Sequence, residues 1–322
     1  MRIVVFGGAG FIGSALAARL LEQGNEVTVF DSLYTGKMEN LAGCRGRKGF
    51  RFVKGDMRSL DEVKAAAKGQ DMAYHLAANA DIRGGMENVH LDLEYNTATT
   101  INCLEAMRRG DVKKMVFTSS SAVYGEPSVF PTPENYGPLL PTSLYGASKL
   151  AAEAYVSAFC EDFGMQSHIF RFVNVLGAAN NHGVVGDFIR KLQADPKRLE
   201  ILGDGKQRKS CIHVSDCVSG ILSGVKAGKE KTNIYNIGND DYVDVDAIAD
   251  EICAAMNLKG VKYGHTGGKR GWTGDMPFVY LDNRLLRATG WKPSMGSRQA
   301  VRKAAEEMLA AGKLEDKHKE HF

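Results

Sequence analysis

Apolar and polar positions follow two different periods along the first half of the chain. Short apolar runs rich in Val, Ile and Phe, such as RIVVF at residues 2–6, predict buried β-strands. The predicted strands are residues 2–6, 26–31, 50–56, 71–77, 113–120 and 166–174. Amphipathic stretches between them predict helices at residues 11–24, 60–67 and 91–109. Because strands and helices alternate, we expect an α/β fold of the Rossmann type, a doubly wound parallel sheet with helices on both faces.

The pattern changes after residue 174. Gly, Asn and His crowd NVLGAANNHGVVGDF, and helices then mix with short strands without regular alternation. We therefore expect residues 1–174 to form the sheet domain and residues 175–322 to form mainly a smaller C-terminal lobe, with segments that return to the sheet domain. The charged sequence KLEDKHKEHF at 313–322 predicts a frayed end.

Composition and charge are those of an ordinary globular protein. The 322 residues are 44% hydrophobic and 25% charged, with a net charge of +3, so no electrostatic argument favours nucleic acid. The six cysteines form no C-x-x-C pair and no metal-like cluster, which predicts reduced thiols, a cytoplasmic protein and no metal site. Four glycines interrupt the apolar start, which argues against a signal peptide, and no apolar run reaches the roughly 18 residues of a membrane span.

A glycine-rich loop joins the first predicted strand to the first predicted helix. It reads Gly7-x-x-Gly10-x-x-Gly13, and glycines at such spacing let the backbone turn tightly and approach a pyrophosphate at a helix N-terminus. Asp31 ends the second predicted strand, where a carboxylate can accept hydrogen bonds from a ribose diol. The same carboxylate would repel a 2′-phosphate, so the sequence predicts a dinucleotide site that prefers NAD to NADP.

Two further stretches carry candidate catalytic groups. FTSSSAVYGEP places three hydroxyl side chains at the end of the fifth predicted strand, and TSLYGASKL places Tyr145 and Lys149 four positions apart on one face of a helix that ends at Gly164. Alone, a Y-x-x-x-K pair is more often a surface pair, and serines after a strand are more often turn formers. Together with a dinucleotide loop they indicate a tyrosine that acts as an acid or base.

The chain resembles the extended short-chain dehydrogenase/reductases, and within them the NAD-dependent nucleotide-sugar epimerase/dehydratase family. The resemblance covers almost the whole chain, through GGAGFIGS, GDM, HLAA, SSSAVYGE, YGASK, RFVNVLG, GDGKQRK and GW-x-GD. The subgroup that it most resembles is the UDP-glucose (UDP-galactose) 4-epimerases. This implies an NAD-binding domain at 1–174, a substrate-binding lobe at 175–322, and a nucleotide-sugar substrate, with UDP-hexose favoured.

The resemblance also implies roles for individual residues. Ser120 is the expected catalytic serine, Tyr145 the acid/base and Lys149 its activating partner. Cofactor contacts are implied for Gly7, Gly10, Phe11, Ile12, Gly13, Asp31, Asp56, Met57, Leu76, Ala77, Ala78, Asn96, Tyr145, Lys149 and Phe172. Substrate contacts are implied for Ser120, Ser121, Tyr145, Asn174, Val185, Lys209 and Arg270.

Tyrosine needs help to act as a base. A free tyrosine has a pKa near 10, so a base at pH 7 requires a pKa about three units lower, roughly 4 kcal/mol. We expect the Lys149 ammonium, the helix N-terminus and a cationic nicotinamide to provide it. The implied reaction is epimerization at C4 through a transient 4-keto intermediate, with no net redox change.

Other reactions and partners stay open at this stage. Dehydratases and decarboxylases of the family carry an acid after the catalytic hydroxyl, where this chain has Ser121 and Ala122. A ketoreductase or a non-catalytic NAD-sensing module are further alternatives. Lys209 takes the place of a family Arg, with Arg208 beside it, which leaves Arg270 as the main guanidinium for the diphosphate. ANADIRGG at 78–85 also differs from the segment that lies beside the sugar in the galactose epimerases, so Asp81 or Arg83 is a candidate for sugar recognition. Glucose or galactose, their N-acetyl forms and uronic acids all stay open as the sugar.

The resemblance further implies a homodimer. Residues 93–109 and the Tyr145 helix are similar to the two helices that family members pair across a dimer axis. Small residues that would permit close packing there are Ala98, Ala151, Ala152 and Ala158.

Overall fold

The computed structural model describes residues 1–82, 84–180 and 183–312, so the predicted frayed end lies outside the described residues. The strands within them are β1 (Arg2–Phe6), β2 (Glu26–Asp31), β3 (Phe50–Lys54), β4 (Met72–His75), β5 (Lys114–Ser120), β6 (Gln166–Phe172), β7 (Asn174–Leu176), β8 (Arg198–Ile201), β9 (Arg208–Lys209), β10 (Cys211–His213), β11 (Thr232–Ile237), β12 (Val243–Asp244), β13 (Lys262–His265) and β14 (Phe278–Val279). The α-helices are α1 (Phe11–Glu22), α2 (Leu60–Ala67), α3 (Gly84–Glu87), α4 (Thr99–Arg109), α5 (Leu144–Phe163), α6 (Val184–Ala194), α7 (Val214–Ala227), α8 (Val245–Ala255), α9 (Arg284–Arg287) and α10 (Ser297–Ala310). Shorter helical segments are the 3₁₀ turns Met38–Leu41 and Ser121–Tyr124 and the π-helix Leu93–Ala98.

Seven parallel strands form the main sheet, in the order β11-β6-β5-β4-β1-β2-β3. Helices flank this sheet, which confirms the Rossmann-type α/β prediction. The strands β1 and β4 are buried along almost their whole length, which explains why they read as continuous apolar runs rather than alternating ones. The seventh strand, β11, was not predicted from the sequence.

Two predicted elements are wrong in detail. The sixth strand does not continue to Asn174, because β6 ends at Phe172 and Asn174 opens β7, where it pairs with Cys211 of β10. The helix predicted at 91–109 is not a single α-helix, since a π-helical turn precedes α4. At that junction the hydroxyls of Thr99 and Thr100 each donate at 2.6 Å to the main-chain carbonyl four residues earlier in the π-helix, a contact that often distorts helices.

The chain divides into two compact units. The first consists of Met1–Phe172, Val218–Ile237 and Asp282–Lys292, and the second of Val173–Cys217, Gly238–Leu281 and the residues from Pro293 onward. Each unit has its own apolar core. Core residues of the first include Val4, Phe6, Phe30, Leu104, Met107, Phe117 and Val156. Core residues of the second include Leu176, Val185, Phe188, Ile189, Ile248 and Val301.

All six cysteines are buried free thiols. Burial raises the thiol pKa of Cys44, Cys103, Cys211, Cys217 and Cys253. Among the residues that the structure describes, none of the helices combines the length and the apolar character that crossing a bilayer requires.

Candidate active site

The glycine loop between β1 and α1 is closed so tightly that two of its glycines cannot be replaced without displacing backbone. Gly7 has a positive φ of 78°, and a Cβ on it would lie 2.5 Å from the Ala77 nitrogen. A Cβ on Gly13 would lie 2.2 Å from the Gly7 oxygen. Gly10 caps α1 without a side chain, so the first amides of that helix can point at an anion. The loop therefore fits a pyrophosphate, as its sequence predicts.

Asp31 is held against this loop at the end of β2. Its carboxylate accepts hydrogen bonds from the Ala9 nitrogen at 2.9 Å and from the Leu33 nitrogen at 2.8 Å. Burial raises the pKa of Asp31, although both backbone hydrogen bonds lower it. A carboxylate has about four acceptor positions, so two remain for the diol of a ribose.

Asp56 and Met57, two of the cofactor contacts that the resemblance implies, follow β3 closely. The Asp56 carboxylate is held by the Arg58 guanidinium, with 2.6 Å between Nη2 and Oδ2, and the hydrogen bond with Arg58 lowers the pKa of Asp56. The Met57 oxygen accepts from Asn102 Nδ2 at 3.0 Å. Arg58 in turn lies over the Tyr95 ring, 4.8 Å from its centroid. Arg58, which is not among the residues predicted for the site, thus links the Asp56 carboxylate to the Tyr95 ring.

Polar side chains brace the segment that follows β4. The Leu76 and Ala77 nitrogens both donate to the Phe6 oxygen, and the Asn79 nitrogen donates to Asn96 Oδ1 at 2.7 Å. Asn96 is almost completely buried, and its Nδ2 donates to Asp92 Oδ1 at 3.2 Å and to Ser148 Oγ at 2.9 Å. Asn96, which the resemblance implies as a cofactor contact, thus joins this segment to α5.

The three candidate catalytic residues meet at the carboxyl end of β5. Ser143 caps α5 by accepting from the Gly146 nitrogen at 3.1 Å, which places Tyr145 in the first turn and Lys149 in the second. A Cβ on Gly146 would lie 2.6 Å from the Ala122 oxygen, so this glycine lets α5 approach the 3₁₀ turn after Ser120. The Ser120 hydroxyl accepts from the Ala122 nitrogen at 3.2 Å, and its interaction with the Tyr145 phenol acts to lower the pKa of that tyrosine.

Lys149 is buried and faces the interior of the first unit. Its Nζ donates to the Thr118 oxygen at 3.0 Å and lies 5.0 Å from the Phe117 ring centroid and 6.0 Å from that of Tyr145. Burial lowers the pKa of Lys149 to about 8, while the carboxylates of Asp92 and Glu153 raise it.

Tyr145 differs from the expectation in its ionisation. Burial raises its pKa to about 12, interaction with the Ser120 hydroxyl lowers it, and the Asp92 carboxylate raises it. In this chain the raising effect of burial exceeds the lowering effect of Ser120, so Lys149 and the other protein groups do not by themselves bring the tyrosine pKa toward 7. The physical reason is that burial penalises a phenolate while the ammonium points at the Thr118 carbonyl.

The remaining cofactor and substrate candidates of the first unit lie near the end of β5. Ser121 is buried at the start of its 3₁₀ turn, and Phe172, opposite Ser120 in the sheet, is also buried. Asp81 is exposed, and its nitrogen donates to Asn79 Oδ1 at 3.1 Å. Arg83 lies outside the described residues.

The other substrate candidates belong to the second unit. Asn174 pairs with β10, and Val185 is buried in the apolar core, so its side chain is not presented to a ligand. Lys209 Nζ donates to Asp275 Oδ1 at 2.7 Å and to the Met276 oxygen. Arg270 is exposed.

Arg208 and Lys209 have different surroundings within β9. The Arg208 guanidinium packs over the rings of Phe278, 4.0 Å from the centroid, and Tyr242, at 5.4 Å. Lys209 contacts Asp275, whose other carboxylate oxygen accepts from the Gly271 nitrogen, the residue after Arg270. Of the two cations, Lys209 is therefore the one that lies beside the segment of Arg270.

Comparisons with known proteins identify the family of this chain. A family model described as the NAD dependent epimerase/dehydratase family matches residues 3–238. A UDP-glucose 4-epimerase of Mycolicibacterium smegmatis is 31% identical, over 95% of this chain and 98% of that protein. A crystal structure of a UDP-galactose 4-epimerase is 35% identical with a TM-score of 0.87, over 97% of this chain and 100% of that one.

A solved structure also carries the cofactor. The UDP-glucose 4-epimerase of Thermus thermophilus, in complex with NAD, is 31% identical with a TM-score of 0.85, over 97% of this chain and 100% of that one. NAD is therefore the cofactor of this family of enzymes, and its contact with the glycine loop and Asp31 stays a prediction. The chain belongs to the NAD-dependent epimerase/dehydratase family of enzymes.

Proposed function

We propose that this enzyme inverts C4 of a nucleotide-diphosphate hexose of the UDP-glucose/UDP-galactose type through a transient 4-keto intermediate. The observation that carries the proposal is the placement of Ser120 at the end of β5 beside the first turn of α5, which holds Tyr145, with Lys149 one turn further along the helix. The similarity to UDP-glucose and UDP-galactose 4-epimerases supports the substrate class.

Each side chain has a defined task in this reaction. Bound NAD accepts the C4 hydride and returns it. Tyr145 takes the O4 proton and gives it back, and Ser120 holds the same oxygen by a hydrogen bond. Lys149 contributes a buried positive charge near the phenol of Tyr145. Together with the positive charge of the nicotinamide, it favours the ionised form of that phenol.

The position after Ser120 argues against the dehydratase alternative. Elimination of water needs a further acid and base, and the next two residues, Ser121 and Ala122, are buried and carry no carboxyl group. A ketoreductase would use the same three catalytic residues but would release product with net oxidation or reduction. An NAD-sensing module would have no need of the Ser120–Tyr145 pair.

A panel of nucleotide sugars tests the proposal. We would incubate the purified enzyme with UDP-, GDP- and dTDP-linked hexoses, their N-acetyl forms and uronic acids, and separate the products by anion exchange. C4 epimers without net change in NADH absorbance would support the proposal. Elimination products, net redox change, or no turnover of any substrate would contradict it.

We also propose a homodimer formed through α4 and α5. On α5, the residues Ala151, Tyr155 and Ala158 recur at helical spacing and are at least partly exposed, and Ala98 is exposed in the π-helix. The inclusion of Ala152 in this face was wrong, because its side chain is fully buried in the core of the first unit. Light scattering at micromolar concentration would test the assembly, and a monomer would contradict it. A cytoplasmic location stays a prediction from the thiol content.

A further inference from the structure

A buried ion pair lies behind the candidate catalytic residues. Glu153 lies on α5, four positions after Lys149, and Arg171 lies on β6. Their side chains are only 6% and 4% exposed, and Nη2 of the arginine is 2.6 Å from Oε2 of the glutamate. Because desolvation offsets most of the attraction in such a pair, its stabilising effect alone is a weak reason for its presence.

One arm of the pair reaches the residue next to Ser120. Ser119 Oγ donates to Glu153 Oε1 at 2.5 Å, and Ser119 is opposite Arg171 in the β5–β6 register. Ser120 follows directly on the same strand. The glutamate therefore fixes the end of β5 to the helix that carries Tyr145.

The other arm reaches the segment that follows Ser120. Arg171 Nη1 donates to the Tyr124 hydroxyl at 2.9 Å and to the Glu134 oxygen at 3.0 Å, and its guanidinium lies 4.8 Å from the centroid of the Tyr124 ring. Tyr124 ends the 3₁₀ turn that Ser121 begins, and its hydroxyl donates to Asn236 Oδ1 at 2.8 Å. The backbone on both sides of Ser120 is thus connected to one guanidinium–carboxylate pair.

We propose that the Glu153–Arg171 pair is a positioning device that sets the placement of Ser120 relative to Tyr145 and Lys149. The inference rests on the proposed role of those three residues in proton transfer. Both side chains of the pair are buried, so they act through Ser119, Tyr124 and α5 rather than by contact with substrate. A displacement of about 1 Å at a proton-transfer site can reduce the rate by about 10²-fold, so a rigid connection at this point has a large effect.

The test is a double variant, Glu153→Met with Arg171→Met. Replacing both charges by apolar side chains of similar length avoids leaving one buried charge unpaired, so the protein should remain folded. We expect kcat to fall by about 10- to 100-fold, with KM and NAD affinity within about twofold of wild type. Amide hydrogen exchange in 119–124 should become faster.

A matched control separates positioning from general stability. In the second unit the buried Glu251 pairs with two more exposed arginines, Arg302 with 2.5 Å between Nε and Oε2 and Arg298 with 2.7 Å between Nε and Oε1. Glu251→Met with Arg302→Met should leave kcat and the exchange of 119–124 unchanged. A kcat in the Glu153/Arg171 double variant above half the wild-type value would overturn the proposal. An equal loss in the control would overturn it as well.

A second variant and the choice of assay substrate cover the cases in which the double variant does not fold or C4 epimerization is not the reaction. If the double variant does not fold, Ser119→Ala removes only the hydrogen bond to Glu153, and an unchanged kcat together with unchanged exchange in 119–124 would overturn the inference. Turnover is measured with whichever nucleotide sugar the wild type converts, by whatever reaction, so a failure of C4 epimerization is distinguished from a failure of the positioning role. If the wild type converts none, the exchange of 119–124 alone decides.

Discussion

The buried Lys149 should make the free energy of unfolding rise with pH in the alkaline range, and the substitution Lys149→Met should remove this rise. Its folded pKa is about 8, against an ordinary value of 10.5, because burial disfavours the ammonium. Well below pH 8 both the folded and the unfolded chain hold the proton, so Lys149 does not make the free energy of unfolding change with pH. Between the two values the folded protein has lost a proton that the unfolded chain still binds, so the free energy of unfolding rises with pH.

The size of the effect follows from those two values. Each pKa unit corresponds to about 1.4 kcal/mol, so the full difference is about 3 kcal/mol, of which about 2.5 kcal/mol has developed by pH 10. Lys149→Met removes the titrating group. Between pH 7 and pH 10, the free energy of unfolding of the wild type should therefore increase by about 2.5 kcal/mol relative to that of Lys149→Met. Any constant loss from the Thr118 carbonyl, which no longer has a donor, cancels in this comparison.

Urea unfolding at several pH values, with equal NAD loading of both proteins, measures the difference. Lys231→Met is a suitable control, because Lys231 is exposed and its hydrogen bond with Glu161 raises its pKa. The free energy of unfolding of the wild type should therefore not increase relative to that of this variant as the pH rises. A difference between wild type and Lys149→Met that stays flat from pH 7 to pH 10 would refute the reasoning, since it would mean that the ammonium is not penalised by burial.

Three further predictions concern the site. Tyr145→Phe removes only a hydroxyl, so we expect NAD binding to persist and turnover of a confirmed substrate to fall by about 10² to 10⁴-fold; a rate near wild type would show that another group carries the proton. Ser120→Ala should reduce the rate less, because Ser121 or water can partly replace one hydrogen bond, and steady-state kinetics of both variants gives the ranking. Gly13→Ala places a methyl group 2.2 Å from the Gly7 oxygen, so dinucleotide released on denaturation, which the wild type should contain, should be absent from this variant.

The parts of the site that sequence could predict depend on local spacing. The glycines at 7, 10 and 13 form a tight turn because of their own backbone freedom. The start of α5 follows from the Ser143 cap, and the helix ends before Gly164, which has the left-handed conformation. Such features involve neighbouring residues and elementary preferences. They position the dinucleotide loop and the Tyr145 helix without knowledge of the remaining chain.

The parts that sequence could not predict depend on distant partners. Glu153 and Arg171 are 18 positions apart, and nothing local indicates that they meet or that Ser119 joins them. The Ala-rich surface of α5 does not indicate which alanines are buried, so Ala152 was assigned to the wrong face. The pKa of Tyr145 depends on how completely the folded chain surrounds it, and that burial exceeds the effect expected from a neighbouring ammonium.

The buried cysteines can serve as native probes of local unfolding in this protein. Because thiols in the interior react slowly with alkylating reagents, the native protein should resist labelling, and each thiol should react only when its surroundings unfold. Cys44, Cys103 and Cys160 lie in the first unit, and Cys211, Cys217 and Cys253 lie in the second. Pulsed alkylation followed by peptide mass spectrometry would therefore report which unit opens first, and whether the cofactor protects one unit or both, without any engineered probe.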